Sequence, residues 1–146
     1  AELTTDLPGP WVERGERTIL GWIALREGDG STAIAQLEAA GRLLPADGGA
    51  DGNNVDVHYR LAQAYLSAGE LEKAGEELKA ILDCGVQRVT QPVEYVRSLF
   101  LLGDIAEKSG DSQGARDFYQ RFLDHWSDGD MDRDRVQQAR SYLSAS

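Results

Sequence analysis

One set of residues returns three times along this chain at a constant offset of 41. Leu20-Gly21, Leu61-Ala62 and Leu102-Gly103 align, as do Gly28, Gly69 and Gly110, and Ala33, Ala74 and Ala115. Leu37, Leu78 and Tyr119 follow, then Ala40, Ile81 and Phe122. A fixed period of this size means that one supersecondary unit is built three times and buries its apolar face by stacking on its neighbours.

Each recurring position has a physical task. The small residue after Leu20, Leu61 and Leu102 lets a second helix approach the first closely. The glycine seven positions later ends the first helix, because the residue just past a helix end commonly adopts a left-handed conformation. Asp29, Glu70 and Asp111 then stand where the next helix starts, and a carboxylate suits its partly positive amide end. The alanine and the two large apolar residues after it make the buried stripe of a second helix.

This order of large and small residues resembles the tetratricopeptide repeat family. The second unit matches with Leu61, Ala62, Tyr65, Gly69, Ala74, Leu78 and Ile81. The third matches with Leu102, Gly103, Gly110, Ala115, Tyr119 and Phe122. The first matches with Leu20, Gly21, Gly28, Ala33, Leu37, Ala40 and the terminal Pro45. The family period is about 34, so each unit here carries about seven extra residues. In the first unit they fall in the Gly/Asp/Asn run 46–54, and in the second in 85–91, before Pro92 opens a first helix. The resemblance implies an all-α fold, a right-handed α-α superhelix of three helix pairs with a C-terminal capping helix. Residues 1–9 read as a linker and 10–146 as one domain, with repeats near 14–45, 55–85 and 96–127. Helices are expected near 11–27, 31–44, 55–68, 70–84, 92–109 and 111–126. A capping helix near 133–144, with Val136, Ala139, Tyr142 and Leu143 on one side, hides the last apolar face.

Composition narrows the function. The net charge is −10, and the basic residues are scattered, so a nucleic-acid partner is not expected. No apolar run is long enough to span a bilayer, and no membrane role is expected. No secretory leader is read at the start, and the chain begins without Met, so a processed protein or an excised domain is expected. One cysteine, Cys84, precludes an internal disulfide and fits a reducing compartment, with the cytoplasm favoured.

The search for chemistry returns structural readings. The run Asp128-Gly129-Asp130-Met131-Asp132-Arg133-Asp134 has alternating carboxylates, but a calcium loop needs glycine where Arg133 stands and glutamate where Ala139 stands. It reads as a solvated turn whose last carboxylates cap the final helix. Asp47, Asp51, Asn53 and Asn54 read as a surface insertion rather than a metal site. Cys84 closes a helix, where the dipole opposes a thiolate. His58 and His125 have no triad partners at motif spacing. Trp11 is expected to pack as an N-terminal cap and Trp126 against the final helix. No catalytic residue, metal or cofactor is assigned.

In the family, the first helix of each pair lines a concave groove. Carried over residue by residue, the groove falls on Thr18, Trp22, Leu25 and Arg26 in the first unit, and on Asp56, Tyr59, Gln63 and Leu66 in the second. In the third it falls on Arg97, Phe100, Asp104, Glu107 and Lys108. Trp22, Tyr59 and Phe100 would be its exposed apolar anchors, with charges of both signs beside them, as a protein or peptide ligand requires. The chaperone-binding members clamp a peptide carboxylate with asparagines. Trp22, Gln63 and Asp104 stand at those sites, so that clamp is absent.

The run from Phe118 to Trp126, followed by Asp128, Asp130 and a short helix, resembles the C-terminal end of helical-repeat regions in large bacterial signalling proteins. Those regions follow kinase or DNA-binding domains, and this chain has neither a Gly-rich nucleotide loop nor a His-Arg-Asp triplet. A protein- or peptide-binding scaffold is therefore the expected function. The alternatives are self-association into a homo-oligomer through an exposed end face and, behind it, a metal-dependent enzyme built on the acidic loops.

Overall fold

The computed structural model describes residues 9–45, 54–84 and 87–145. The expected linker, apart from Gly9, and the run 46–53 lie outside them. The described residues form α1 (Pro10–Glu27), α2 (Gly30–Gly41), α3 (Asn54–Ala68), α4 (Leu71–Asp83), α5 (Gln87–Thr90), α6 (Pro92–Lys108), α7 (Ser112–Trp126) and α8 (Arg133–Ser144). α1 packs on α2, α3 on α4 and α6 on α7, and each pair stacks on the next through α2–α3 and α4–α6, with α8 closing the array on α7. This is an all-helical repeat solenoid of three antiparallel pairs and a capping helix.

The repeated residues explain the pairing. Gly28, Gly69 and Gly110 have φ of 81°, 77° and 78°, the left-handed conformation that ends the first helix of each pair. The amide two residues into each turn reaches back to the first helix. Asp29, Glu70 and Asp111 donate from nitrogen to the carbonyls of Ala24, Tyr65 and Ala106. Asp29 and Asp111 also accept from the amides of Thr32 and Gly114, as helix caps do. Glu70 makes no such cap and instead pairs with Lys73. Ala33, Ala74 and Ala115 are fully buried where the second helices cross the first. At Gly21 and Gly103 the crossing is tighter still: an added Cβ would lie 2.5 Å from Leu37 and 2.7 Å from the Tyr119 ring.

The core lies in three clusters along the stack, bridged by partly buried residues such as Ile105 and Leu101. Leu37 joins Leu61, Tyr65 and Ala74 between the first two pairs. Leu78, Ile81 and Leu102 join the second pair to the third. Phe100, Tyr119, Phe122, Val136 and Ala139 close the C-terminal end, and Tyr142 packs its ring 5.2 Å from Tyr119.

Four expectations need correction. The second helix ends at Gly41 rather than near 44, its last turn unwinding before Pro45. Part of the extra length in the second unit, 87–90, is itself a short helix. Trp11 does not pack as a cap; it is 68% exposed. Leu20 leaves the pattern of its repeats: Leu61 and Leu102 are buried, whereas Leu20 is 42% exposed. The physical cause is position. Leu61 and Leu102 each meet the second helix of the preceding pair, and no described pair precedes α1.

Candidate functional site

The first helices α1, α3 and α6 lie side by side, α1 against α3 and α3 against α6. Residues 41 apart occupy equivalent places on them, so the sequence-derived groove resolves into columns of three.

The column of Thr18, Tyr59 and Phe100 is buried in every unit, at 4%, 8% and 5% exposure. These side chains fill the seam between successive helices rather than an open groove. The Thr18 hydroxyl donates to the Arg14 carbonyl at 2.8 Å, a bond within its own helix. The Phe100 ring lies 5.5 Å from Tyr119 and 5.3 Å from Phe122. Arg135 of α8 covers Phe100, its guanidinium carbon 5.4 Å from the ring centre, a cation–π distance. Burial raises the Tyr59 phenol above its ordinary range, with the nearby Arg135 and Arg97 opposing that rise. Tyr59 and Phe100 are thus not exposed anchors, and the aromatic recurrence that the sequence offered as a ligand stripe packs the core.

The column four residues on, Trp22, Gln63 and Asp104, does reach the surface. Trp22 is 40% exposed. Arg26 from its own helix and Arg60 from α3 both lie over its ring, at 5.6 and 4.9 Å from the centre. Asp56 holds Arg60 in place through a 2.8 Å bond to Nε. Gln63 is half-buried, and Leu25 and Leu66 are half-buried beside the core of the first two pairs. In the third unit the half-buried Asp104 accepts from the exposed Lys108 Nζ at 2.6 Å. Glu107 instead accepts from the Tyr119 hydroxyl at 2.8 Å and joins the packing of the pair.

Arg97 is occupied by the chain itself. Its Nε donates to Asp132 Oδ2 at 2.8 Å, which raises the guanidinium's pKa, as a charge-assisted bond does. Asp132 is the only non-glycine residue with positive φ among the described residues, at 52°. It is the N-cap residue of α8 but makes no side-chain cap, contrary to the expected capping role, because its carboxylate is spent on Arg97 and approaches Arg135. The Arg97 end of the face is therefore covered by α8, and the open part runs from Trp22 and Arg26 through Arg60 and Gln63 to Asp104 and Lys108.

Other candidates resolve into structure. His58 Nδ1 lies 2.6 Å from Glu77 across the second pair. Trp126 packs beside α8 and donates from Nε1 to the Met131 carbonyl at 3.0 Å. The Cys84 thiol is pushed up, by burial first and then by Asp83, away from nucleophilic use. Among the described residues no cluster of metal-ligating side chains occurs and no helix is long and apolar enough to cross a membrane. Sequence reasoning missed the pairing of Arg60 with Trp22. The signal was available, since Arg60 stands between Ile19 and Leu101 in the repeat register and is the one charged residue of that triplet.

Two family models, both described as tetratricopeptide repeat, match this chain, one over residues 24–90 and the other over 97–128. No curated protein matches it.

Proposed function

The chain belongs to the tetratricopeptide repeat family, and we propose that it is a docking module that holds an extended peptide segment of another protein along its first helices. Repeats of this family generally mediate contacts between proteins and are typically non-catalytic, which supports a scaffold or binding role at that level. The finer reading rests on one observation: Trp22, exposed on the shared face with the guanidiniums of Arg26 and Arg60 on its ring. A half-exposed indole gives an apolar anchor at low entropic cost, and two arginines beside it favour a neighbouring carboxylate. Asp56 offsets one of the two charges, which leaves this spot with one net positive charge among Arg26, Arg60 and Asp56 on a chain of net charge −10. The segment it suits carries an apolar side chain next to acidic ones. The further assignment to a large bacterial signalling protein rests only on the resemblance of residues 118–126.

The test uses Trp22 as reporter, with Trp11 and Trp126 replaced by Phe. Peptides of equal length, one set rich in Asp and Glu and the other in Lys and Arg, are titrated while indole emission is followed. Saturable change with the acidic set, lost in Arg26→Ala and Arg60→Ala, is expected. A response that is the same for both sets, or that survives both substitutions, would overturn the reading.

A further inference from the structure

The repeat register identifies a second surface, which adjoins the groove along α1. Leu20, Leu61 and Leu102 are equivalent, and so are Ile23, Ala64 and Ile105. In the second and third units these residues are wholly or largely covered by the preceding pair; in the first, Leu20 and Ile23 are 42% and 43% exposed. Ile19, at 59%, and Trp11, at 68%, extend the same apolar strip, and a shallow depression joins Trp11, Val12 and Gly15 to Ile19 and Leu20. Together these side chains leave roughly 400–500 Å² of apolar surface in one patch, the size of the largest patch on a typical monomer, which is often functional.

Two features of α1 say what covers it. The chain as a whole carries −10, yet α1 is neutral, with Glu13, Glu16 and Glu27 offset by Arg14, Arg17 and Arg26. Two copies of an acidic chain meet with least repulsion on such a helix. In addition, Glu16 stands where the inner units carry the buried Val57 and Ser98. A helix resembling α4, packed as α4 packs on Leu102, would bury that carboxylate against apolar groups. A second α1 brings the part-exposed Arg17 on the same helix. The area also suffices: two patches give ~900 Å² of apolar surface before their polar rims, which reaches the lower end of stable interfaces once the rims are added.

We propose that the exposed face of α1 is the interface of a homodimer, in which α1 of one copy lies antiparallel on α1 of the other about a two-fold axis. Gly15 has nothing within 4 Å of an added Cβ, so it leaves a notch between Trp11 and Ile19 that admits a side chain of the other copy. Trp22 lies on the side of α1 toward α3, where Arg60 covers its ring, so each dimer presents two such sites.

Sedimentation velocity over a wide concentration range tests the pairing, with Leu20→Glu and Ile23→Glu as separate variants. Both residues are exposed, so helix content by circular dichroism should be unchanged. The wild type is expected to sediment as a dimer that dissociates on dilution, and each variant as a monomer at every concentration. Gly15→Leu, which fills the notch, should weaken the dimer as well. A wild type that stays monomeric at the highest concentration overturns the proposal and leaves the face to a helix of another protein. A dimer that survives Leu20→Glu and Ile23→Glu overturns it equally, by placing the interface elsewhere.

Discussion

Gly103 and Tyr119 meet so closely that a methyl group on the glycine would sit 2.7 Å from the tyrosine ring. The contact fixes the distance between α6 and α7. Gly21 and Leu37 make the same contact in the first pair, whereas the second pair places Ala62 beside Leu78. The Ala–Leu pair shows that a methyl can be accepted when the opposing side chain is aliphatic and can change rotamer. A planar ring anchored by its hydroxyl on Glu107 cannot give way as easily. Gly103→Ala is therefore expected to destabilise by about 1–3 kcal/mol, and Gly21→Ala by less. Urea unfolding of the two variants checks the order.

The caps predict a second graded series. Asp29 and Asp111 accept amide bonds at the starts of α2 and α7, at 3.0 and 2.9 Å, and Glu70 makes none. Alanine at Asp111 should cost ~1 kcal/mol. Alanine at Asp29 should lower the urea midpoint in the same direction, while Glu70→Ala should leave it nearly unchanged, since only an exposed pairing with Lys73 is lost. The Asp29 carboxyl is held below its usual range by its bonds to Thr32 and Ser31. Its contribution is accordingly present above the unfolded pKa and fades as pH falls through the lower folded one. Acid titration of the wild type against Asp29→Ala would expose that difference.

Phe100 and Trp22 should behave in opposite ways. Phe100 is 5% exposed among Tyr119, Phe122 and Arg135, so its truncation to alanine leaves a cavity and is expected to cost ~3–5 kcal/mol. Trp22→Ala removes a half-exposed ring and two surface cation–π contacts, for about 1 kcal/mol. Peptide affinity, read by titration calorimetry because the reporter indole is gone, should be lost in Trp22→Ala at nearly full stability. Thermal melts of both variants, run beside the peptide titration, separate packing from binding.

That contrast marks how far the sequence could be read. A 41-residue offset identifies equivalent positions, and the tight glycines, the left-handed glycines and the two aspartate caps follow from it, whereas the capping helix follows from the helical spacing of Val136, Ala139, Tyr142 and Leu143. It cannot say which neighbour an equivalent position faces. On a helix, Phe100 and Asp104 differ by one turn and about 40°, enough to move a side chain from the seam between units to the open face. Tyr59 and Phe100 fell in the seam for that reason. Nor does periodicity say which units meet a neighbour: Leu20 obeys the repeat perfectly, and it is exposed because no described pair precedes α1. Asp132 was missed differently. Its carboxylate lies near the final helix in sequence, and only the fold brings Arg97, 35 residues away, within reach.

Alkaline pH should weaken the stack through two tyrosines. Tyr65 donates its hydroxyl to Glu38 and Tyr119 to Glu107, both at 2.8 Å. Burial first, and then these carboxylates, raise both phenols above their ordinary value. For a group whose folded pKa lies above its unfolded one, the stabilisation is complete below the unfolded value, about 10, and is lost as pH rises through the folded one. Urea midpoints should therefore fall steadily once pH exceeds about 10. Phe at position 65 or 119 should start from a lower midpoint, having lost a hydrogen bond, and show a shallower alkaline decline. An equally steep decline in both variants would mean that other groups govern the transition.

Asp132 offers the sharpest separation between local and global effects. Its left-handed backbone and its bond to Arg97 together set where α8 begins, and Arg135 three residues later covers Phe100 and approaches Tyr59. Asparagine tolerates the same backbone conformation but cannot form the ion pair. The carboxylate is only 13% exposed. Asp132→Asn thus removes the charge without straining the turn, and should cost roughly 1–2 kcal/mol. The loss should be concentrated at the C-terminal end. α8 amides are expected to exchange faster with solvent while those of α3 and α4, in the middle of the stack, keep their protection. Because α8 hides the Arg97 end of the shared face, its loosening should also make Arg97 available to an acidic peptide and lengthen the segment that the Trp22 groove can hold. Hydrogen exchange across the whole chain, with and without such a peptide, would detect both effects. Uniform loss of protection would show instead that α8 and the first two pairs unfold as one unit.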